Sequence, residues 1–281
     1  MMPNFNDVAV FFDLSSTGES LLALAGGLAK DNHATLIGLS SLPIDPSSHG
    51  TGFARGAAMG DVILARQGDQ ARHAQSTTQA LLLAGARAGV ATEMHVVDHT
   101  ESEEAAAAHA SYADVMIVGH PLAVGAPLMW SPILSLERNG MPLLLVPDGR
   151  PQGPVGRRIL VGWNGTRAAR RAIADALPLL ARAEHVELLM VDPVFAKDQS
   201  EERPGAGLAL YLQKHGVPVS VRQVAAGGGG VTEAILAAAV ESECDLVVLG
   251  AYSRRSRYVE ALFGGVTQSF LAGTPISLFI S

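Results

Sequence analysis

The sequence predicts an α/β protein made of two tandem doubly wound domains, each a five-stranded parallel sheet with helices on both faces. Three observations lead there. Short β-type runs recur in the same order in the two halves, which marks an internal repeat. Most of these runs are apolar at successive positions, as strands covered on both faces require. Between them lie segments with apolar residues at helical spacing, and strands alternating with amphipathic helices specify a sheet whose right-handed crossovers leave few topologies.

The elements pair off in chain order. Residues 8–13 (VAVFFD) match residues 159–164 (ILVGWN). The first is followed by a stripe of Leu21, Leu22, Ala25, Leu28 and Ala29. The second is followed by a helix that Thr166 can cap, with Ala169, Ala172, Ile173, Ala176, Leu177 and Leu180 inward and Arg167, Arg170 and Arg171 outward. Pro178 kinks or ends that helix, because proline lacks the N–H and clashes with the preceding turn. The second pair is ATLIGLSSLP from Ala34 and HVELLMVDP from His185, and the third is TEMHVVD from Thr92 and VSVRQVA from Val219. Residues 113–120 (ADVMIVGH) match 244–251 (CDLVVLGA), and 141–147 (MPLLLVP) match 274–280 (TPISLFI).

Asp13 and Asn164 stand 151 positions apart, but Gly119 and Gly250 only 131, so the first half carries about 20 extra residues before its fourth strand. Residues 44–61, rich in Gly, Ser and Pro, are expected to hold them as a long loop. Residues 148–156 (DGRPQGPVG) have linker composition, which places the domains at 1–150 and 151–281.

Composition narrows the function. The chain is 48% hydrophobic but only 5% aromatic, so Ala, Leu, Val and Ile build its cores. Twenty basic against 27 acidic residues leave a net charge of −7, which disfavours nucleic acid and anionic lipid as partners. The lone Cys244 cannot form an internal disulfide and reads as a packed core residue. The start lacks a basic leader, and no run approaches the roughly 18 apolar residues of a spanning helix, so a soluble cytoplasmic protein is expected. The three lysines follow no glycine-rich turn, and the zincin and nucleophile-elbow motifs are missing. His95 and His99 would lie about 13 Å apart along a strand at about 3.3 Å per residue, too far to share a metal. His185 and His215 are isolated in sequence.

In an open parallel sheet a ligand sits beyond the carboxyl ends of the strands where their order reverses. That directs attention to Asn164, Gly165 and Thr166 after the first strand of the second half, and to Gly250 onward after its fourth. Gly264 and Gly265 precede a helical run with Val266, Phe270 and Leu271, a start whose bare N–H groups, extended by the Thr267 hydroxyl, suit phosphate. Arg254, Arg255 and Arg257 are reserve phosphate contacts, whereas residues 227–230 (GGGG) read as a flexible strand-to-helix loop.

The tandem plan, VGWNGTRAARRAIADALPLL, and VVLGAYSRRSRYVEALFGGVT before a proline-led last strand resemble the universal stress protein family in its two-domain bacterial form. The resemblance implies a Rossmann-like fold and, in nucleotide-binding members, a glycine motif of Gly, two residues, Gly, nine residues, Gly, then Ser, Thr or Gly. Here the first glycine falls on Gly250 and the last pair on Gly264 and Gly265, with Val266 and Thr267 following. Ser253 stands in for the second glycine, and the stretch after it is one residue longer. The acidic residue that helps hold adenosine corresponds to Asn164, and the apolar residue ending the second strand to Val191; Leu249 would line the same side. The first half keeps Asp13, Ser15 and Ser16 but has Met129, Trp130 and Pro132 where the glycine pair belongs, so it looks like a non-binding copy.

The reading is thus a stress-response module that binds ATP or another adenine nucleotide, with or without Mg, in its second domain and without dedicated turnover. A nucleotide-independent scaffold is the alternative, and slow ATP hydrolysis assisted by Glu260 ranks last because no base is positioned for it. The resemblance further implies that the two last strands pair the halves as an intramolecular pseudo-dimer, with a homodimer of whole chains left open.

Overall fold

A computed structural model describes residues 3–42, 57–97, 108, 112–119, 140–150, 152–193, 205–251, 266, 269–270 and 273–281, without the side chains of 57–60 and 62. The ten expected strands are present. They are β1 (Asp7–Phe11), β2 (Thr35–Ser41), β3 (Thr92–Val97), β4 (Val115–Gly119) and β5 (Leu143–Val146), then β6 (Arg158–Gly162), β7 (His185–Val191), β8 (Val219–Val224), β9 (Leu246–Leu249) and β10 (Ser277–Ile280). The described helices are α1 (Ser16–Asn32), α2 (Ala57–Ala88), α3 (Arg167–Asp175), α4 (Leu177–Leu180), α5 (Ala206–Lys214) and α6 (Gly230–Glu241).

All ten strands form one sheet in the order β3-β2-β1-β4-β5-β10-β9-β6-β7-β8. Within each half every pairing is parallel. The halves join where β5 meets β10 antiparallel, with Leu143, Leu144 and Leu145 opposite Ile280, Phe279 and Leu278. Leu145 and Leu278 are separated by the same interval as Pro142 and Pro275, so the junction is centred on one position of the repeat meeting its own counterpart. That is the geometry of a local two-fold axis. Each of these six side chains is fully buried, and burial of such a side chain contributes about 1.5 to 3 kcal/mol.

Side chains alternate between two cores, as the pleat dictates. Val8, Val10, Leu36, Ile117 and Leu144 join one core with the inner faces of α1, α3 and α4. Ala9, Phe11, Ile37, Met116 and Leu145 join the other, which α6 covers through Ile235, Ala238 and Ala239. The residues expected on the inner stripes of the first helix of each half are all buried. The break between α3 and α4 falls at Ala176, which puts Pro178 in the first turn of α4, where its missing N–H has no partner to lose.

The loop expected over residues 44–61 is corrected at its end. Residues 57–61 begin α2, a helix of 32 residues, whereas its counterpart α5 has 9, so most of the first half's excess is helical. Residues 44–56 lie outside the described set. The Gly-rich run 227–230 also departs from a plain loop: Gly227–Gly229 form a single 3-10 turn and Gly230 opens α6. Glycine is needed at Gly227 and Gly230, whose φ values are 62° and 78°.

One device repeats in both halves. Asp245, just before β9, accepts hydrogen bonds from the backbone N–H groups of Gly156, Arg157 and Arg158 at 3.0 to 3.2 Å. Asp114, just before β4, accepts from Asn6 and Asp7 at 2.5 and 3.1 Å. Each aspartate fastens the start of its half's first strand to the start of the fourth. A second device spans the halves: the Arg182 guanidinium donates to the carbonyls of Pro3 and Asp31 at 3.1 Å each and to Asn4 Oδ1 at 2.5 Å.

Candidate functional site

In the second half the strand order reverses at β6, whose neighbours are β7 on one side and β9 on the other. A crevice beyond the carboxyl ends of β6 and β9 is therefore where an open parallel sheet accepts a ligand. Asn164 lies two residues past β6, Gly250 directly follows β9, and Val191 is the last residue of β7. The pairing Gly162 to Leu189 carries Asn164 to the level of Val191.

Asn164 is exposed and its oxygen is already committed. Oδ1 accepts from the Thr166 backbone N–H at 3.2 Å and from the Thr166 hydroxyl at 2.7 Å. The Thr166 hydroxyl oxygen in turn accepts from Ala169 N–H at 3.2 Å, capping α3 as expected. The first half repeats this turn. Asp13 Oδ1 accepts from Ser15 N–H at 3.0 Å and from the Ser15 hydroxyl at 2.5 Å, and the Ser15 oxygen accepts from Gly18 N–H at 3.2 Å.

Charge differs between these matching turns. The first half has Asp13 at the strand end, Ser16 at the helix start and Glu19 in the first turn; the second has Asn164, Arg167 and Arg170 at the same intervals. Arg167 and Arg170 are exposed. Arg171 pairs with Asp175 at 3.2 Å and donates to the carbonyl of Gly140 at 2.8 Å.

Gly250 is where α3 leans on the sheet. A Cβ placed there would stand 2.5 Å from both Ala168 C and Ala169 N, so any side chain would push the start of the helix away. The sequence offered Gly250 as a phosphate contact and gave no sign of this packing role. Leu249 is only 6% exposed, packs in the core that α6 covers, and presents little surface to a ligand. Val191 is half-buried against that core, and Val266 is half-buried and helical. Ser253, Gly264, Gly265 and Thr267 lie outside the described residues, as do Arg254, Arg255, Arg257, Glu260, Met129, Trp130 and Pro132.

The remaining chemistry is structural. Burial pushes the Cys244 thiol up to about 11, with the Glu187 carboxylate adding to the shift, so the sulfur is held protonated. Glu187, itself buried, accepts from the Ser242 hydroxyl at 2.7 Å and lies 3.6 Å from the Arg222 guanidinium, which also pairs with Glu241 at 2.5 Å. His95 pairs with Glu93 at 2.8 Å, His185 meets the Ser220 hydroxyl at 3.2 Å, and His215 packs at a tilt of 60° against Tyr211 with ring centroids 4.7 Å apart. Among the described residues no cluster of three or more His, Cys, Asp or Glu could hold a metal ion, and no helix is long and apolar enough to cross a membrane.

Residues 156–281 match the universal stress protein family model. A solved universal stress protein from Archaeoglobus fulgidus DSM 4304 superposes with a TM-score of 0.69 at 15% identity, covering 97% of this chain and 97% of that one. The second half of the chain is thus similar to the universal stress protein family, and the whole chain shares the fold of a solved member. The first half repeats the fold of the second. A functionally unknown protein from Pseudomonas aeruginosa PAO1 is also similar in structure, with a TM-score of 0.58 at 15% identity over 98% of this chain and 92% of that one. At these identities the likeness speaks for the universal stress protein fold alone. No curated protein matches the chain.

Proposed function

We propose that the chain is a cytoplasmic stress-response module that binds an adenine nucleotide, ATP first among them, in the crevice of its second half and regulates through occupancy without turnover. The observation that carries this reading is the reversal of strand order at β6, with Asn164 and Gly250 on its two lips, in the half that matches the family. The adenosine would lie against Val191 and Asn164. Gly250, Ser253, Gly264, Gly265, Val266 and Thr267 would hold the phosphates, and any Mg would ride on those phosphates. Leu249 would contribute only the buried floor behind Gly250.

The charge reversal supports an anionic guest. A cation in the first turn of a helix opposes the helix dipole at a cost of about 0.3 to 1 kcal/mol, and a phosphate over that end relieves it. Arg167 and Arg170 are so placed in α3, whereas α1 has Glu19 there. The two halves would form a pseudo-dimer with one competent crevice.

Thermal unfolding with and without nucleotide tests the reading, together with mass spectrometry of small molecules released from freshly purified protein. A ligand of the native state adds RT ln(1 + [L]/Kd), about 2.7 kcal/mol at a hundredfold excess over Kd. A midpoint unmoved by ATP, ADP and AMP would leave the nucleotide-independent scaffold in its place.

A further inference from the structure

At the end of its first strand each half carries one of two isosteric side chains, Asp13 or Asn164, and the hydrogen bonds of the turn make the difference between them a rule of recognition. A backbone N–H can only donate, so the Asn164 atom 3.2 Å from Thr166 N must be the oxygen, which fixes the orientation of the amide. That oxygen has two acceptor sites, and the Thr166 N–H and hydroxyl fill both. What Asn164 keeps for a ligand is its amide nitrogen with two N–H donors, on an exposed side chain, and nothing among the described residues holds it. Asp13 makes the same two bonds through Oδ1 and keeps Oδ2, which can only accept.

We infer that Asn164 makes the second-half crevice a donor-only reader at this position, so that it selects a nucleoside group presenting a lone pair, a ring nitrogen or oxygen, rather than one presenting a proton. The inference rests on the nucleotide reading and adds the sense of the contact. A second consequence concerns the repeat. The two halves are not copies of one site, because a pure acceptor that satisfies Asn164 meets lone pairs at Asp13 and a pure donor that suits Asp13 meets N–H groups at Asn164, and only a hydroxyl, which does both, suits either.

The sign of a charge-neutral probe's response decides it. Adenosine carries no phosphate, so a carboxylate at position 164 does not repel it through a charged tail. Binding of adenosine to the full chain is measured by ligand-observed NMR for wild type, Asn164→Ala and Asn164→Asp. The expected order of affinity is wild type, then Ala, then Asp. The alanine variant loses about fivefold with its one hydrogen bond, and the aspartate variant loses at least about tenfold because lone pair faces lone pair. Asp13 already shows that this turn accommodates a carboxylate, and an unchanged unfolding midpoint confirms that the aspartate variant folds. An aspartate variant that binds adenosine as well as or better than wild type overturns the inference while leaving the nucleotide reading intact. Failure of wild type to bind either adenosine or ATP overturns the reading itself and the inference with it.

Discussion

Gly250→Ala is the sharpest test of how the crevice is built. The added Cβ would sit 2.5 Å from Ala168 C and Ala169 N and 2.9 Å from Ala168 Cβ, and the first two are backbone atoms that cannot rotate away. Ordinary contact begins near 3.4 Å, so the first turn of α3 must retreat by about 1 Å. That retreat lifts Ala169, Ala172 and Ile173 from a core in which each is at most 3% exposed. Overpacking of this kind costs about 1 to 3 kcal/mol, and the entropy that alanine removes from the unfolded chain returns about 0.4 to 1 kcal/mol. A net loss centred on about 1.3 kcal/mol is expected, read as a lower urea midpoint at constant slope. Gly27→Ala is the matched control, since nothing lies within 4 Å of its Cβ position inside α1, and it should stabilise by about 0.5 to 1 kcal/mol. The retreat would also displace Thr166 and Asn164, so nucleotide affinity should fall in Gly250→Ala and not in Gly27→Ala. Equal stability of Gly250→Ala and wild type would refute the claim that α3 is seated on this glycine.

Three further outcomes follow from the same geometry. Asp245→Ala strands the N–H groups of Gly156, Arg157 and Arg158 and should cost about 2 to 3 kcal/mol in chemical denaturation, with Asn recovering part of the loss. Phe279→Ala empties a fully buried position in the strand that joins the halves and should cost about 3 to 5 kcal/mol, with faster proteolysis of the folded chain. Cys244 is an acid whose folded pKa is raised, from 9.0 to about 11, so its stabilising effect is fully present below pH 9 and is lost as pH climbs towards 11. Unfolding measured at pH 8 and pH 10.5 should show wild type losing about 2 kcal/mol more than Cys244→Ala, and the thiol should resist alkylation at pH 8.

Much of the fold was legible because strands buried on both faces leave a long apolar signature. The runs at 143–146 and 246–249 could be placed within a few residues for that reason. The N-cap at Thr166 was readable because its role is local, a hydroxyl three residues before the N–H that it accepts from. Helix α2 was misread at its start because Gly56, Gly60 and the proline-rich stretch before them carry turn chemistry, while the residues from Asp61 onward bury little of their surface and show no sharp apolar stripe. The reversal of strand order at β6 was legible in position, but the construction of the turns beside it was not. Gly250 sits in a recognisable pattern, yet its reason for being glycine is a backbone that passes within 2.5 Å from another part of the chain. Asn164 could be read as both donor and acceptor, and only in the folded turn is the acceptor already spent on Thr166. Asp114 and Asp245 were inside the matched runs, but their partners lie across the sheet, where no local pattern points.

Isothermal titration of the full chain with ATP, compared with Gly265→Asp, addresses the central claim most directly. One site per chain, lost when a carboxylate takes the place meant for phosphate, is the result predicted. Two sites per chain, or an affinity indifferent to Gly265→Asp, would contradict the assignment of the second-half crevice as the nucleotide site.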